Sequence, residues 1–258
     1  MQYLDPKSDE DILDIGCGDG VLTAKIAPLC KSVKGLDSST SFIETANDKV
    51  VPLHMNTEFH EHDCRQLRTS SSLQGHVLAA SSYGKVFSNA AMHWILRDEA
   101  TRVSFFSDVF CLLKSGGTFV FEQGGAGNVA EAHAAIISVL HHAYDVPLKK
   151  IREVDPWFFP SEQWMHQTLE RAGFVVEKLE LEYRPTKLTS ETADGSGGLH
   201  GWIRLMAALS LDVLEDSEQR TEAVNRIYIV LQDIVTREED SSQNLGYVRL
   251  RAVARKPR

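Results

Sequence analysis

The chain has 258 residues, of which 43% are hydrophobic and 24% are charged, the composition of a globular protein with one substantial core. Its formal net charge of −9 argues against nonspecific binding to nucleic acid, because such binding requires a cationic surface. No apolar run reaches the roughly 20 residues of a membrane span, and the acidic beginning MQYLDPKSDED lacks the apolar segment of a secretory signal.

The cysteines and histidines give no sign of a metal site. Four cysteines are scattered along the chain without a CxxC spacing: Cys17, Cys30, Cys64 and Cys111. This pattern argues against a disulfide framework and against structural zinc. His60 and His62 share a strand face, but no third ligand of fitting spacing follows, so a structural or surface role is favoured. We therefore expect a cytoplasmic protein with no metal and no membrane partner.

In the first half of the chain, short apolar strands alternate with amphipathic helices. The predicted strands are 12–15, 32–36, 57–62, 85–88 and 118–121. Helices are predicted at 21–29 and 103–113, and a further helix that carries Phe42, Ile43 and Ala46 follows a Ser38-Ser39-Thr40 cap. The helix at 103–113 is predicted to end at Lys114-Ser115-Gly116-Gly117. The polar stretch 69–75 is predicted to be a loop or the start of a helix. This alternation favours a parallel sheet with helices on both faces.

The pattern changes after Gln123, where a glycine-rich break at 124–127 precedes longer helical segments. Further helices are predicted at 129–144, 161–172, 202–213 and 224–234, and further strands at 174–181 and 248–254. We expect a single domain over 1–258, an α/β fold with a doubly wound, mostly parallel seven-stranded sheet. We expect 124–172 and 184–240 to contribute a helical cap over the substrate site.

The most specific string is DILDIGCGDG at 11–20, in which a strand runs directly into three alternating glycines. Glycine lets the backbone approach a ligand closely, and the following helix presents its free N–H groups to the loop. A dinucleotide fingerprint would need glycine where Val21 stands. Asp14 would repel a pyrophosphate but suits an ammonium or sulfonium group, and S-adenosylmethionine carries both.

The string LDIGCGDG closely resembles motif I of the class I S-adenosylmethionine-dependent methyltransferases. The resemblance implies a Rossmann-like methyltransferase fold with S-adenosylmethionine as the cofactor. It also implies cofactor contacts at four residues of the string: Asp14, Gly16, Cys17 and Gly18. Members of the family usually carry one or two helices before the first strand, which here begins about eleven residues into the chain. Three alternatives are open: a truncated chain, a gene model that is too short, or a cap that compensates. A truncated lid would predict weak cofactor affinity and a solvent-exposed site.

Two further acids follow predicted strands. Asp37, next to Ser38, ends the second strand, where a carboxylate can accept two hydrogen bonds from a ribose diol. The alternative is an aspartate that caps the next helix. Asp63 and Cys64 end the third strand, and the family resemblance implies that the Asp63 carboxylate and the Cys64 N–H contact the adenine. Aspartate is also a common turn residue.

A second specific string, VFSNAAMHWI at 86–95, resembles motif IV of a subgroup that includes trans-aconitate methyltransferase and related fungal small-molecule enzymes. The resemblance implies cofactor contacts at three residues: Ser88, Asn89 and Ala90. It places His93 and Trp94 near the transferred methyl group. His93 is the candidate catalytic base if the acceptor is a hydroxyl or an amine, whereas a carboxylate acceptor needs none. The alternative is a buried histidine of the core.

Contacts with the acceptor are expected from the end of the fifth strand and from the cap. The candidates are Trp94, Gln123, Trp157, Phe158, Trp202 and Arg204. The aromatic residues suit a mostly apolar pocket but suit a helical core equally well. Arg204 could bind a substrate carboxylate through two parallel hydrogen bonds.

We predict a methyltransferase that acts on a small-molecule acceptor in secondary metabolism, on the oxygen of a carboxylate or a hydroxyl. The alternatives are N- or S-methylation of a secondary metabolite, and a catalytically idle cofactor-binding subunit of a partner protein. No nucleic-acid partner is expected, and the protein is expected to be a monomer or a homodimer.

Overall fold

The computed structural model describes residues 3–67 and 76–258. The stretch predicted as a polar loop, 69–75, lies outside the described residues. Two compact units divide the chain: the first comprises the described part of 1–125 with 160–181 and 250–258, and the second comprises 126–159 and 182–249.

Nine strands are present in the described residues. They are β1 (Asp11–Ile15), β2 (Ser32–Asp37), β3 (Thr57–Glu61), β4 (Tyr83–Asn89), β5 (Leu113–Gly124), β6 (Val175–Tyr183), β7 (Thr186–Lys187), β8 (Asn244–Leu245) and β9 (Val248–Arg255). Seven of them form one sheet in the order β3-β2-β1-β4-β5-β9-β6, and the neighbours from β3 to β5 pair in parallel. The predicted doubly wound, mostly parallel sheet of seven strands is confirmed.

Ten α-helices are present in the described residues. They are α1 (Val21–Ile26), α2 (Thr40–Lys49), α3 (Met92–Ile95), α4 (Arg102–Leu112), α5 (Ala130–Tyr144), α6 (Leu148–Glu153), α7 (Glu162–Arg171), α8 (Gly198–Met206), α9 (Ala208–Leu211) and α10 (Ser217–Val235). Short 3-10 turns follow α1 and β3, at Ala27–Leu29 and Cys64–Gln66. In the part of the chain that the structure describes, every helix is too short or too polar to cross a lipid bilayer.

The core of the first unit lies on both faces of the sheet. In β1, Ile12, Leu13 and Ile15 are fully buried, the continuous apolar run typical of a central parallel strand. On one face, Phe106 of α4 packs against Trp164 of α7, with ring centroids 6.2 Å apart. The structure thus places α7 in the sheet unit, although the sequence assigns 124–172 to the cap.

The predicted apolar face of α1 is only partly correct. Ile26 is fully buried, but Val21 and Leu29 are 57% and 47% exposed. Pro28 has no N–H to continue an α-helix, and the chain tightens into a 3-10 turn at Ala27. The change in residues per turn rotates Leu29 away from the buried side.

The helix predicted over 103–113 is α4, which ends at Leu112, and the segment Lys114-Ser115-Gly116-Gly117 that follows it lies inside β5. Tyr83 of β4 pairs with Leu113, but Lys85 pairs with Thr118, so residues 114–117 form an irregularity within the strand. Gly116 has φ +79°, a backbone conformation that glycine adopts without strain. The glycines therefore follow the predicted helix end and also mark an irregularity within the strand.

The second unit contains α5, α6, α8, α9 and α10, together with the antiparallel pair β7–β8. Ile227 and Leu231 of α10 are fully buried, as the predicted helical face requires. The single helix predicted over 202–213 is instead divided at Ala207 into α8 and α9. The role of these helices as a cap stays a prediction.

Within the first unit, the loop after β1 makes a close approach to the segment after β4. A Cβ atom built on Gly16 would lie 2.1 Å from the Cβ of Ala91, far inside van der Waals contact. Gly16 also has φ +72°, where residues with a side chain are strained. The position thus requires glycine for two independent reasons.

We expect Gly16→Ala to lower the free energy of unfolding by about 2–4 kcal/mol, since the strain of positive φ adds to overpacking against Ala91. Gly18→Ala is the matched control, because Gly18 has φ +57° but no atom within 4 Å of its added Cβ. It should cost only about 1–2 kcal/mol. Urea unfolding measures both values, and equal losses in the two variants would contradict the close approach.

Candidate functional site

A cavity of about 530 Å³ lies at the carboxyl ends of β1, β2, β3 and β4, within the first unit. The chain runs from β1 outward to β3 and then returns to the other side of β1 with β4. Open α/β sheets bind ligands at the carboxyl ends of their strands, where the strand order reverses in this way. The cavity thus has the position of a ligand site.

Most of the predicted cofactor residues form its walls. Those on the wall are Gly16, Gly18, Asp37, Ser38, Asp63, Cys64, Asn89 and Ala90, and the predicted acceptor residue Trp94 joins them. Seven wall residues were not assigned to the site from the sequence: Ser39, Phe42, His62, Arg65, Ala91, Ile95 and Arg97. The sequence signal that could have found most of them is their position near a predicted strand end or within or just after the string 86–95, whereas Phe42 lies within α2.

Backbone hydrogen bonds hold the glycine loop in place. The N–H groups of Gly16 and Cys17 donate to the Leu36 carbonyl at 2.7 and 3.0 Å, which ties the loop to the end of β2. Gly18 donates its N–H to Asp37 Oδ2 at 3.0 Å. Because a Cβ on Gly18 would meet no atom within 4 Å, the bare backbone faces open space in the cavity. A ligand can therefore approach this loop closely.

Asp37 keeps capacity to bind a ligand. Its Oδ2 accepts from Gly18 and its Oδ1 accepts from the Ser39 N–H at 2.9 Å. A carboxylate has about four acceptor positions, so about two remain. The alternative role as the cap of α2 belongs to Ser39, whose hydroxyl accepts from the Phe42 N–H at 3.3 Å.

Asp63 is instead engaged by its neighbour Arg65. The guanidinium donates to both carboxylate oxygens, with Nη2 to Oδ2 at 2.6 Å and Nε to Oδ1 at 2.9 Å. These hydrogen bonds hold the pKa of Asp63 below its usual value. The carboxylate predicted to contact adenine therefore lies on the cavity wall but is paired within the chain.

Asp14 is buried beneath the loop rather than placed on the cavity wall. It is 1% exposed, and the Thr23 hydroxyl donates to its Oδ2 at 2.7 Å. Burial raises the pKa of Asp14 to about 7, and the charge of Asp37 adds to the increase, while the Thr23 hydrogen bond opposes it. The structure does not bring this carboxylate to the face expected for a cationic ligand.

Two other predicted cofactor residues also point away from the cavity. Cys17 packs with α2 in a buried apolar cluster that includes Ile43 and Phe59. Ser88 is fully buried and donates its hydroxyl to the Ile15 carbonyl at 2.8 Å, which ties β4 to β1. Both residues support the walls without forming them.

The motif IV string divides between the wall and the core. Trp94 lies on the wall, whereas His93 is 4% exposed and its Nδ1 accepts from the Gly124 N–H at 3.5 Å. The predicted catalytic histidine thus lies behind the wall, with the lone pair of one ring nitrogen directed at the backbone.

Gln123, near the end of β5, is fully buried. Neither its amide oxygen nor its amide nitrogen has a hydrogen-bond partner among the residues described. A buried amide without partners is costly, and such groups in native structures call for an explanation. Gln123 is not among the residues that line the cavity, so its contact with an acceptor stays a prediction.

The remaining predicted acceptor residues lie in the second unit. Trp157 is buried, with its ring 6.2 Å from that of Trp202, and Phe158 is half-buried. Trp202 donates its indole N–H to the Tyr247 hydroxyl at 2.7 Å. Arg204 is exposed and donates to the Gly195 carbonyl at 2.7 Å, so its guanidinium is partly engaged. Their contact with an acceptor stays a prediction.

The side chains of the cavity wall are suited to binding and orienting a ligand. Burial and the charge of Asp37 raise the pKa of the Cys64 thiol, which is therefore protonated and a weak nucleophile at neutral pH. Across residues 3–67 and 76–258, no group of three or more His, Cys, Asp or Glu side chains could hold a metal ion.

Comparison with known proteins identifies the family. A family profile described as a methyltransferase domain matches residues 12–117, the segment that forms the cavity. The chain is 36% identical over 194 residues to an uncharacterized methyltransferase of Schizosaccharomyces pombe, covering 75% of this chain and 70% of that protein. The chain belongs to the S-adenosylmethionine-dependent methyltransferases.

Two further proteins are similar to this methyltransferase. The malonyl-[acyl-carrier protein] O-methyltransferase of Acetivibrio thermocellus is 28% identical over 166 residues, covering 64% of this chain and 50% of that protein. The solved structure of a methyltransferase from Methanosarcina mazei that depends on S-adenosylmethionine has a TM-score of 0.55 at 16% identity, covering 99% of this chain and 95% of that one. Its likeness confirms the Rossmann-like methyltransferase fold, and the family's cofactor is S-adenosylmethionine.

The raised pKa of Asp14 predicts a measurable dependence of stability on pH. Between about pH 4 and pH 7 the native carboxyl keeps a proton that the unfolded chain has lost, so stability falls as pH rises. From pH 5 to pH 8 we expect the methyltransferase to lose about 2–3 kcal/mol relative to Asp14→Asn, which stays neutral. Urea unfolding at both pH values measures this difference, and a difference that stays constant would contradict the burial of the charge.

Proposed function

We propose that the methyltransferase binds S-adenosylmethionine in the cavity of the first unit and transfers the methyl group to an oxygen of a small-molecule acceptor. The observation that carries this proposal is the arrangement at Asp37. Its carboxylate is fixed against the open Gly18 backbone and keeps about two acceptor positions. The two hydroxyls of a ribose each donate one hydrogen bond, so together they require two acceptor positions.

The residues on the wall suit the parts of this cofactor. Asp37 would hold the ribose, and the backbones of Gly16, Gly18, Asn89 and Ala90 would hold the methionine portion. The volume of about 530 Å³ is within the range of ligand sites in proteins. The bound sulfonium supplies a methyl group already activated for in-line displacement. The protein therefore has to orient the acceptor and exclude water.

The surroundings of His93 favour a carboxylate oxygen as the acceptor. A hydroxyl or an amine must lose a proton, but His93 is buried and accepts a hydrogen bond from the backbone. A carboxylate needs no base. The relative named as a malonyl-[acyl-carrier protein] O-methyltransferase also supports transfer to oxygen.

The remaining parts of the proposal rest on the sequence. The string at 86–95 supports membership of the trans-aconitate methyltransferase subgroup and its fungal small-molecule relatives, and with it a role in secondary metabolism. The net charge of −9 favours a small acceptor over nucleic acid. We further propose a cytoplasmic monomer or homodimer.

We expect Asp37→Ala to raise the dissociation constant for S-adenosylhomocysteine by about 10- to 100-fold, since hydrogen bonds to a charged group contribute about 1.5–3 kcal/mol. Asp19→Ala is the matched control, because Asp19 belongs to the same loop but not to the cavity wall. Isothermal titration measures both constants. A wild-type chain that binds no S-adenosylhomocysteine at millimolar concentration, or two variants with equal affinity, would contradict the proposed site.

Replacing the buried amide of Gln123 should change stability and activity in opposite directions. We expect Gln123→Met to raise the free energy of unfolding by about 1–2 kcal/mol, since a buried amide without partners is removed. It should lower kcat/KM for carboxylate acceptors while the affinity for S-adenosylhomocysteine is unchanged. Turnover is measured on a panel of carboxylate, hydroxyl, amine and thiol acceptors. A less stable variant with full activity would assign Gln123 to the core alone.

A further inference from the structure

The 19-residue helix α10 of the second unit is apolar on two faces. Its inner face buries Ile227 and Leu231 completely. Three further apolar side chains are directed outward: Ile229, Val230 and Ile234 are 62%, 47% and 67% exposed. The outer face of an amphipathic helix is ordinarily polar, and adjacent exposed apolar side chains mark sites of interaction. The outer face of α10 therefore has the character of a contact surface.

Charged side chains flank these apolar residues on the same face of the helix. Glu222 and Arg226 precede them, and Asp233 and Arg237 follow them, at intervals of three or four residues from Ile229 or from one another. Arg226 donates its Nε–H to Glu222 Oε1 at 2.9 Å, and both side chains are about half exposed. Asp233 and Arg237 are exposed, and neither has a charged partner in the part of the chain that the structure describes.

The charges are arranged symmetrically about the middle of the apolar residues. Arg226 lies three residues before Ile229, and Asp233 lies three residues after Val230. A two-fold axis between positions 229 and 230 would align two copies of α10 antiparallel. Arg226 of each copy would then lie opposite Asp233 of the other. A closed, symmetric dimer requires a face that is complementary to itself in this way.

The outer pair of charges obeys the same symmetry and disfavours other alignments. Glu222 and Arg237 lie seven residues outside the two central positions, so they too would meet as opposite charges. Sliding the two helices by about one turn in one direction would place Arg226 against Arg237. Sliding them by the same amount in the other direction would place Glu222 against Asp233. Repulsion between like charges thus selects one register.

We propose that the outer face of α10 is the interface of a homodimer, in which two copies of this helix pack antiparallel about a two-fold axis between Ile229 and Val230. The apolar side chains supply the attraction, and the flanking ion pairs fix the register. Because the apolar area is small, association falls in the micromolar rather than the nanomolar range. The inference selects the homodimer from the two states proposed above and does not depend on the cofactor site.

Reversing one charge at a time tests the pairing of Arg226 with Asp233. Arg226→Asp makes both positions negative in each copy, and Asp233→Arg makes both positive. Either variant alone should raise the dissociation constant of the dimer at least about ten-fold, since like charges face one another. In an equimolar mixture of the two variants, opposite charges meet again in the heterodimer. Its dissociation constant should return to within about three-fold of the wild-type value. Sedimentation velocity over a concentration series measures all of these constants.

Matched variants outside α10 control for charge and for exposed apolar area. Asp48→Arg, at an exposed position of α2, changes the net charge as Asp233→Arg does and should leave the dimer unchanged. Ile229→Ser should weaken the dimer about ten-fold or more, because the apolar side chain is lost from both copies. Leu53→Ser removes a side chain that is 76% exposed but lies outside α10, and it should have no effect on association.

Three results would overturn the proposal. The first is a wild-type chain that stays monomeric at near-millimolar concentration. The second is a dimer that Asp233→Arg does not weaken, which would place the interface elsewhere. The third is a mixture of the two charge variants that associates no better than either alone, which would contradict the antiparallel register. All of these measurements read association only, so a failure of the cofactor site and a failure of the dimer are distinguishable.

Discussion

The close approach of Gly16 to Ala91 is the constraint on which the cavity depends. It brings the loop after β1 against the segment after β4, at a distance that leaves no room for a side chain. On its other side, the same loop is tied by the Gly16 N–H to Leu36 at the end of β2. The ends of three neighbouring strands are thereby fixed relative to one another. Groups far apart in sequence can then form one wall with little freedom to rearrange.

Three acids that look equivalent in sequence have different chemistry because their partners differ. Asp14 is buried with Thr23 and tends to hold a proton, while Asp63 is neutralised by Arg65. Asp37 keeps about half of its acceptor positions, and its carboxylate reaches the cavity between two strand ends. In this site, recognition of a ligand therefore depends on the acceptors that the chain leaves unused rather than on the number of acids.

The order of strands and helices and the glycine loop could be predicted because periodicity and glycine act locally. The pairing of Asp63 with Arg65 could not, since a charge two residues away can equally extend into solvent. The burial of His62 and of His93 is set by tertiary packing around the ends of β3 and β4. For the same reason the sequence identified Trp94 and His93 together, although Trp94 alone of the two lies on the wall.

The most direct test is a crystal structure of the chain with S-adenosylhomocysteine. We expect the ligand in the cavity at the ends of β1 to β4, with both ribose hydroxyls within hydrogen-bond distance of the Asp37 carboxylate. The glycine loop should keep its backbone conformation, since Gly16 and Gly18 are already fixed by the ends of β2 and β4. A ligand bound elsewhere, or one whose ribose does not contact Asp37, would contradict the proposed site.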